Sequence, residues 1–328
     1  MALRRIALPL VLALSCCALK GQKPALTLVQ TIPLPAVEGR IDHLAVDMDG
    51  ERVFLAALGN GTIEVVDLKH GQHAGQIKEL KEPQGLLYLQ FNNSLYVATG
   101  GDGMVRVYNG RTLSLAGSVH VGEDADNLRW DHETHSVMVG YGDGAIAMLP
   151  TDLKSKVSVE VRLPAHPESF QVSANGSGLF VNLPGDQSVA SIDKAGSVTA
   201  KWGNLGAQAN FPMAVAQDGE RIFVACRRPA QLLALNTKNG SVLQRIATVG
   251  DADDLFYDEA RGRIYVIGGE GFVDVVDAPK NGKLQSIEHI PTATGARTGL
   301  FVPGWNKLLV AAPHRGTDPA RLLVYALP

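Results

Sequence analysis

The chain has 328 residues, 45% of them hydrophobic and 19% charged, and carries a formal net charge of −3. That balance can bury a core and excludes a disordered chain. No Lys/Arg cluster or basic stripe is present, which excludes nucleic acid as a partner, because phosphate binding needs concentrated positive charge.

The first predicted element is a targeting segment. Arg4 and Arg5 precede an apolar run from Ile6 to Ala18, followed by polar Lys20, Gly21, Gln22 and Lys23. Thirteen residues are too few to span a bilayer and suit the core of a signal peptide, so no transmembrane span is expected. Residues 1–21 are therefore read as a signal peptide cut between about Ala18 and Gly21. Losing Arg4 and Arg5 with it leaves a more acidic mature chain, exported to the periplasm or the medium. Cys16 and Cys17 close the run, which leaves lipidation of either as a bacterial lipoprotein open as an alternative. The mature chain keeps only Cys226, so it forms no intramolecular disulfide and must be stabilised by packing.

From residue 25 onward one unit recurs. A strand candidate, LTLVQTIPLP (26–35), opens the region. Seven related strands follow: RVFLAAL (52–58), SLYVATG (94–100), SVMVGYG (136–142), GLFVNLP (178–184), RIFVACR (221–227), RIYVIGG (263–269) and KLLVAAP (307–313). Their opening residues are largely β-branched, aromatic or otherwise apolar, as buried strands require. Turns such as DMDGE (47–51) and QDGER (217–221) precede them, and third strands such as TIEVVDL (62–68) and FVDVVDA (272–278) follow. Equivalent positions fall at His43, Gly85, Asn127, Ser169, Pro212, Asp254 and Thr298, at spacings of 42 to 44 residues. Four strands in each of seven such repeats is the arithmetic of a seven-bladed β-propeller. The abundance of glycine, 35 residues, agrees with a turn-rich all-β fold. The seventh repeat ends after its third strand, RLLVYAL, so strand 26–35 is expected to complete that blade and close the ring. The single domain then runs over 25–328, and a monomer is expected.

The segment EPQGLLYLQFNNSLYVATGGDGMVRVYN (82–109) resembles the repeat of the YVTN/YncE-like seven-bladed β-propellers of secreted bacterial proteins, a WD40-like architecture. The resemblance covers about residues 25–328. It implies the propeller fold and export, and little about function, because the shared residues are core and turn positions.

Strand direction places the links between blades and the loops between second and third strands on one face, around the mouth of the central channel. The related stretches GEDADNLRWD (122–131) and GDADDLFYD (250–258) fall at this link in blades three and six. One residue before each aligned position lies a ring: Asp42, Gln84, Asp126, Glu168, Phe211, Asp253 and Arg297. His43, Asn127, Ser169 and Asp254 form the next layer, and the neighbouring loops add Asn60, Asp102, Tyr141, Asp143, Arg227, Arg228, Glu270, His314 and Arg315. The expectation is an acidic, polar funnel with basic residues from blades five and seven. Any one carboxylate can be an ordinary turn residue bonding its own backbone, as Asp124 and Asp251 are read here, and His166 is read as a loop residue. Four acidic positions out of seven are harder to assign to turns alone, because packed like charges must be compensated by a cation, a proton or an arginine such as Arg297. His314 and Arg315 could pair with an anionic ligand. Arg227 and Arg228 could activate the thiol of Cys226, but a buried strand-end cysteine is the simpler reading.

No catalytic signature is present: no H-E-x-x-H, no G-x-S-x-G, no P-loop and no C-x-x-C-H. The leading expectation is an exported binding protein whose mouth holds a small molecule or a peptide or protein loop. A second is a calcium-dependent, lactonase-like hydrolase or lyase, with oxygen ligands from Asp126, Asn127, Glu168 and Asp253 and with His43 as acid/base. A third, a redox accessory related to quinoprotein propellers, has no cofactor motif to support it. Intact-mass measurement of the exported protein tests the first element: loss of the first 18–21 residues is expected. A mature chain beginning at Cys16 or Cys17 and carrying a diacylglyceryl group would contradict simple cleavage.

Overall fold

The computed structural model describes residues 23–151 and 160–328. The signal-peptide reading, with Arg4, Arg5, Cys16 and Cys17, therefore lies outside the described residues. No helix among the described residues is long and apolar enough to cross a membrane.

Seven four-stranded antiparallel sheets form the seven blades of a β-propeller. In six blades the four strands are consecutive in sequence. The seventh is made from Thr298–Val302, Lys307–Ala312 and Arg321–Ala326, with Thr27–Pro33 added as its outer strand. That closing strand runs antiparallel to Arg321–Ala326, pairing Thr27 with Ala326 and Pro33 with Arg321, with a bulge between Leu28 and Gln30.

Burial explains why the repeat reads as it does. The second strand of a blade sits between two others in its sheet and between neighbouring blades on both faces. It is therefore a continuous apolar run: Val53, Phe54, Leu55, Ala56 and Ala57 have no exposed surface. The outermost strand faces solvent on one side, so Gln72–Ile77 and Val242–Ala247 alternate between exposed and more buried positions. Hydrophobic clusters fill the wedges between adjacent blades. The wedge between blades seven and one joins Ile32 and Leu34 of the closing segment to Leu44, Val53 and Leu55 on one side and to Leu309 and Val324 on the other. Aromatic pairs span other seams, among them Phe54 with Tyr88 at 5.5 Å and Tyr265 with Phe301 at 5.4 Å.

Cys226 is buried in this packing, and burial pushes its thiol pKa up to about 12. The adjacent arginines do not activate it.

Ile32 is the one fully buried residue of Thr27–Pro33 and anchors the closing strand in the wedge. Ile32→Ala is expected to cost about 2–5 kcal/mol in chemical denaturation. A chain lacking residues 22–36 should lose cooperative unfolding, because the edge of Arg321–Ala326 becomes unpaired and the wedge loses Ile32 and Leu34. An unchanged denaturation midpoint in either variant would contradict closure by this strand.

Candidate functional site

The channel mouth is a cavity of about 220 Å³ to which all seven blades contribute. The seven ring residues, Asp42, Gln84, Asp126, Glu168, Phe211, Asp253 and Arg297, all line it. So do His43, Asn127, Ser169 and Asp254 of the next layer, and Arg227 from the loop side. The ring converges because each link ends in the same backbone register: the Asp42 and Asp126 amides donate to Ala56 and Gly140 of their own second strands, and the Glu168 amide to Asn182. Blade two departs from the layer at Gly85 for a steric reason. A Cβ there would stand 2.0 Å from the carbonyl oxygen of Asp126.

His314 and Arg315 do not reach this cavity; they line a smaller neighbouring one that shares Arg40 and Arg297 with it. Asn60, Asp102, Tyr141, Asp143, Arg228 and Glu270 do not line the mouth either. Asp102 is held in its own blade by Arg106 at 2.6 Å, and Glu270 accepts from the Gly250 amide at 2.9 Å.

The structure adds residues that the repeat alignment passed over. Arg129, Gln171 and Phe256 lie two positions beyond Asn127, Ser169 and Asp254, one pleat deeper on the same strand face. The period-2 rule applied to the aligned layer would have found them. Together with His43 and Asp254 they also line a cavity of about 330 Å³ on the far side, whose other walls include Leu44, Leu87 and Leu300. The channel is thus polar at one end and more apolar at the other. Arg40 comes from the link into blade one, three positions before His43. His166 and Asp124, read as loop and turn residues, both line the mouth. Asp124 does have the left-handed φ of +53° expected of a turn residue, so it serves both roles.

Four arginines and two histidines face six carboxylates in this cavity. Their pairing divides the mouth into two sides. On the side of blades five to seven, Asp253 is held between Arg227 and Arg297, the latter at 3.0 Å, and Asp251 accepts from Arg297 at 3.1 Å. Arg227 also lies over the Phe211 ring, 3.6 Å from its centroid. On the side of blades one to four, Arg40 binds Asp42 at 2.7 Å, and Gln84 donates to Asp124 at 3.1 Å. His43 stands 3.8 Å from Asp42, 3.8 Å from Asp126 and 3.9 Å from Asp254, close enough for charge attraction and too far for direct hydrogen bonds. His166 is 4.0 Å from Asp126.

Two buried acceptor atoms here lack any hydrogen-bond donor: Oδ1 of Asp126 and Oδ1 of Asn127. Both residues are nearly inaccessible, at 8% and 2% exposure, and the Asn127 amide nitrogen is committed to the Glu168 carbonyl. A buried unpaired acceptor is costly.

Burial dominates the ionisation of the group. It raises Asp126 well above the usual carboxylate range, with His43 opposing and Asp42 and Glu168 adding. Burial likewise raises Glu168 against the pull of His166, and Asp253 against that of Arg227. Asp254 is pushed up to about 6 by burial, with His43 and the Gly299 amide opposing. At His43 burial works against the charged form, but Asp42, Asp254 and Asp126 outweigh it and raise the pKa. Burial also lowers Arg129 from its ordinary value despite Asp254 and Asp126. Among the described residues no three His, Cys, Asp or Glu side chains are grouped to hold a metal ion. Of the four oxygen ligands expected for calcium, Asp253 is taken by two arginines.

No protein-family model matches the chain, and comparison with curated proteins finds no relative. Solved structures do share the fold. A chain of the Kuenenia stuttgartiensis hydrazine synthase is similar with a TM-score of 0.72 at 16% identity, over 84% of this chain and 94% of that one. A chain of a mitotic checkpoint complex is similar with a TM-score of 0.76 at 14% identity, over 100% of this chain and 99% of that one. At such identities the likeness shows the seven-bladed propeller alone.

The raised pKa of Asp254 has a stability consequence of definite sign. A carboxyl with a folded pKa near 6 and an ordinary unfolded one near 3.8 contributes stability that is fully present below 3.8 and lost as pH rises through about 6. Asp254→Asn should therefore melt higher than wild type at neutral pH, and that advantage should shrink as pH falls from 6 toward 4. A difference that stays constant over this range would contradict the buried, protonatable Asp254.

Proposed function

We propose that this chain is an exported, YVTN/YncE-like propeller that binds a small polar ligand, or a peptide or protein loop, at the mouth of its central channel. The observation that carries the reading is the pair of buried, unpaired acceptors, Asp126 Oδ1 and Asn127 Oδ1, on the side of the mouth where the carboxylates exceed the arginines. A ligand that presents an ammonium or several N–H or O–H donors would satisfy both atoms and relieve the repulsion among Asp42, Asp126 and Glu168. Phe211 is already covered by Arg227, so recognition on this reading runs through hydrogen bonds and charge rather than through a free aromatic face.

A second reading has its own support in His43. An imidazole within 4 Å of three carboxylates, one with a pKa near 6, can give and take protons near neutral pH, as a hydrolase or lyase of the lactonase-like kind requires. Calcium would be the metal of such an enzyme, held by Asp126, Asn127 and Glu168 oxygens.

Thermal-shift titration with small amines, amino acids and polyols, and separately with calcium and with a chelator, distinguishes these readings. On the binding reading, a donor-bearing organic ligand raises the melting temperature, and Asp126→Asn or Glu168→Gln weakens its affinity by about tenfold or more. Asp277→Asn, at a half-buried strand end away from the mouth, should leave the affinity unchanged. A response to calcium that chelator reverses would favour the metal-dependent reading instead. If ligands stabilise Asp126→Asn as well as wild type, the mouth is not their site.

A further inference from the structure

The seam between blades seven and one carries a second cavity, of about 190 Å³, whose charge is the inverse of the mouth's. The loop after Lys307–Ala312 and the segment leading into blade one share its walls, which carry Arg40, Arg297, His314 and Arg315, with Asp251 as the one lining carboxylate. Asp251 is already engaged, by Arg297 at 3.1 Å and by Arg227 at 3.4 Å. Arg40 is paired with Asp42, and His314 lies 2.9 Å from the exposed carboxylate of Glu38. Arg315 is different: among the described residues its guanidinium has no carboxylate partner.

The loop that carries this exposed arginine is fixed by its backbone. The Arg315 amide donates to the Asp318 carbonyl and the Asp318 amide donates back to Arg315, each at 2.9 Å, which pins the loop. Opposite stands Gly295 at φ +84°, where a Cβ would lie 3.0 Å from Nε and Nη2 of Arg315 and so would have to displace them. The guanidinium thus rests over bare backbone in a concave site, its fork of donors matched to the two oxygens of an oxyanion.

We propose that this cavity is an anion subsite that takes a carboxylate or phosphate group through Arg315 and His314, with Arg40 and Arg297 behind them. The last two also line the mouth, so an anion bound here sits at its edge. The subsite stands without the reading of the mouth, because a simple inorganic anion tests it.

The probes are inorganic phosphate and, separately, acetate, each titrated up to about 50 mM into the full mature protein against chloride at matched ionic strength, with melting temperature as the readout. A saturable rise with either anion is expected, and the anion that gives it identifies the group. Arg315→Gln should raise the half-saturating concentration by about tenfold, and His314→Gln should raise it less. Arg228→Gln, at an exposed arginine outside both cavities, should leave it unchanged. Asp126→Asn should retain the response, which separates this site from the mouth. No saturable response in wild type, or equal responses in wild type, Arg315→Gln and His314→Gln, overturns the proposal.

Discussion

Everything at the mouth depends on one constraint: the ring has to close. Six blades are continuous in sequence, and the seventh lacks an outer strand until Thr27–Pro33 pairs with Arg321–Ala326. That pairing covers the outer edge of Arg321–Ala326 and locks Ile32 into the wedge between blades seven and one. It also fixes the seam beside which Arg40, Arg297 and Arg315 meet. Without closure the inner strands would have no common axis, and residues separated by more than 250 positions, such as Asp42 and Arg297, would have no reason to share a cavity.

Closure brings seven links to one point and with them a charge problem. Six carboxylates in a partly buried cavity would repel one another strongly if all were ionised and unpaired. The chain answers in two ways. On the side of blades five to seven, arginines take the load, with Asp253 gripped by Arg227 and Arg297. On the other side burial raises Asp126 and Glu168, and the surrounding carboxylates raise His43, so its proton is held more tightly. Asp126 Oδ1 and Asn127 Oδ1 are left without a donor from the chain.

Much of this was legible in the repeat. A spacing of 42 to 44 residues fixes a blade, and one position counted back from the aligned residue names all seven members of the ring. The strand at 26–35 could be placed in the last blade because the seventh repeat is short by one strand. What the spacing could not supply was side-chain direction within loops. His166 and Asp124 read as ordinary loop and turn residues, because nothing local says that they face the channel. Arg40 stands three positions before His43, the same offset as Asp124 from Asn127 and His166 from Ser169, so the aligned layer counted back by three reaches all of them. Arg129, Gln171 and Phe256 are within reach of strand periodicity, whereas which carboxylates meet an arginine depends on distances that only the closed ring defines. Position in the loop after a second strand places His314 and Arg315 on the mouth's face, but not in its cavity; they line the neighbouring one.

The central claim is that the mouth presents unspent acceptors to a donor-bearing ligand. A crystal structure of the protein purified from its native host, without extensive dialysis, tests it most directly. The account predicts density for a non-protein group donating to both Asp126 Oδ1 and Asn127 Oδ1. Finding those two atoms paired by side chains of the ring itself, or met by water alone, would contradict it.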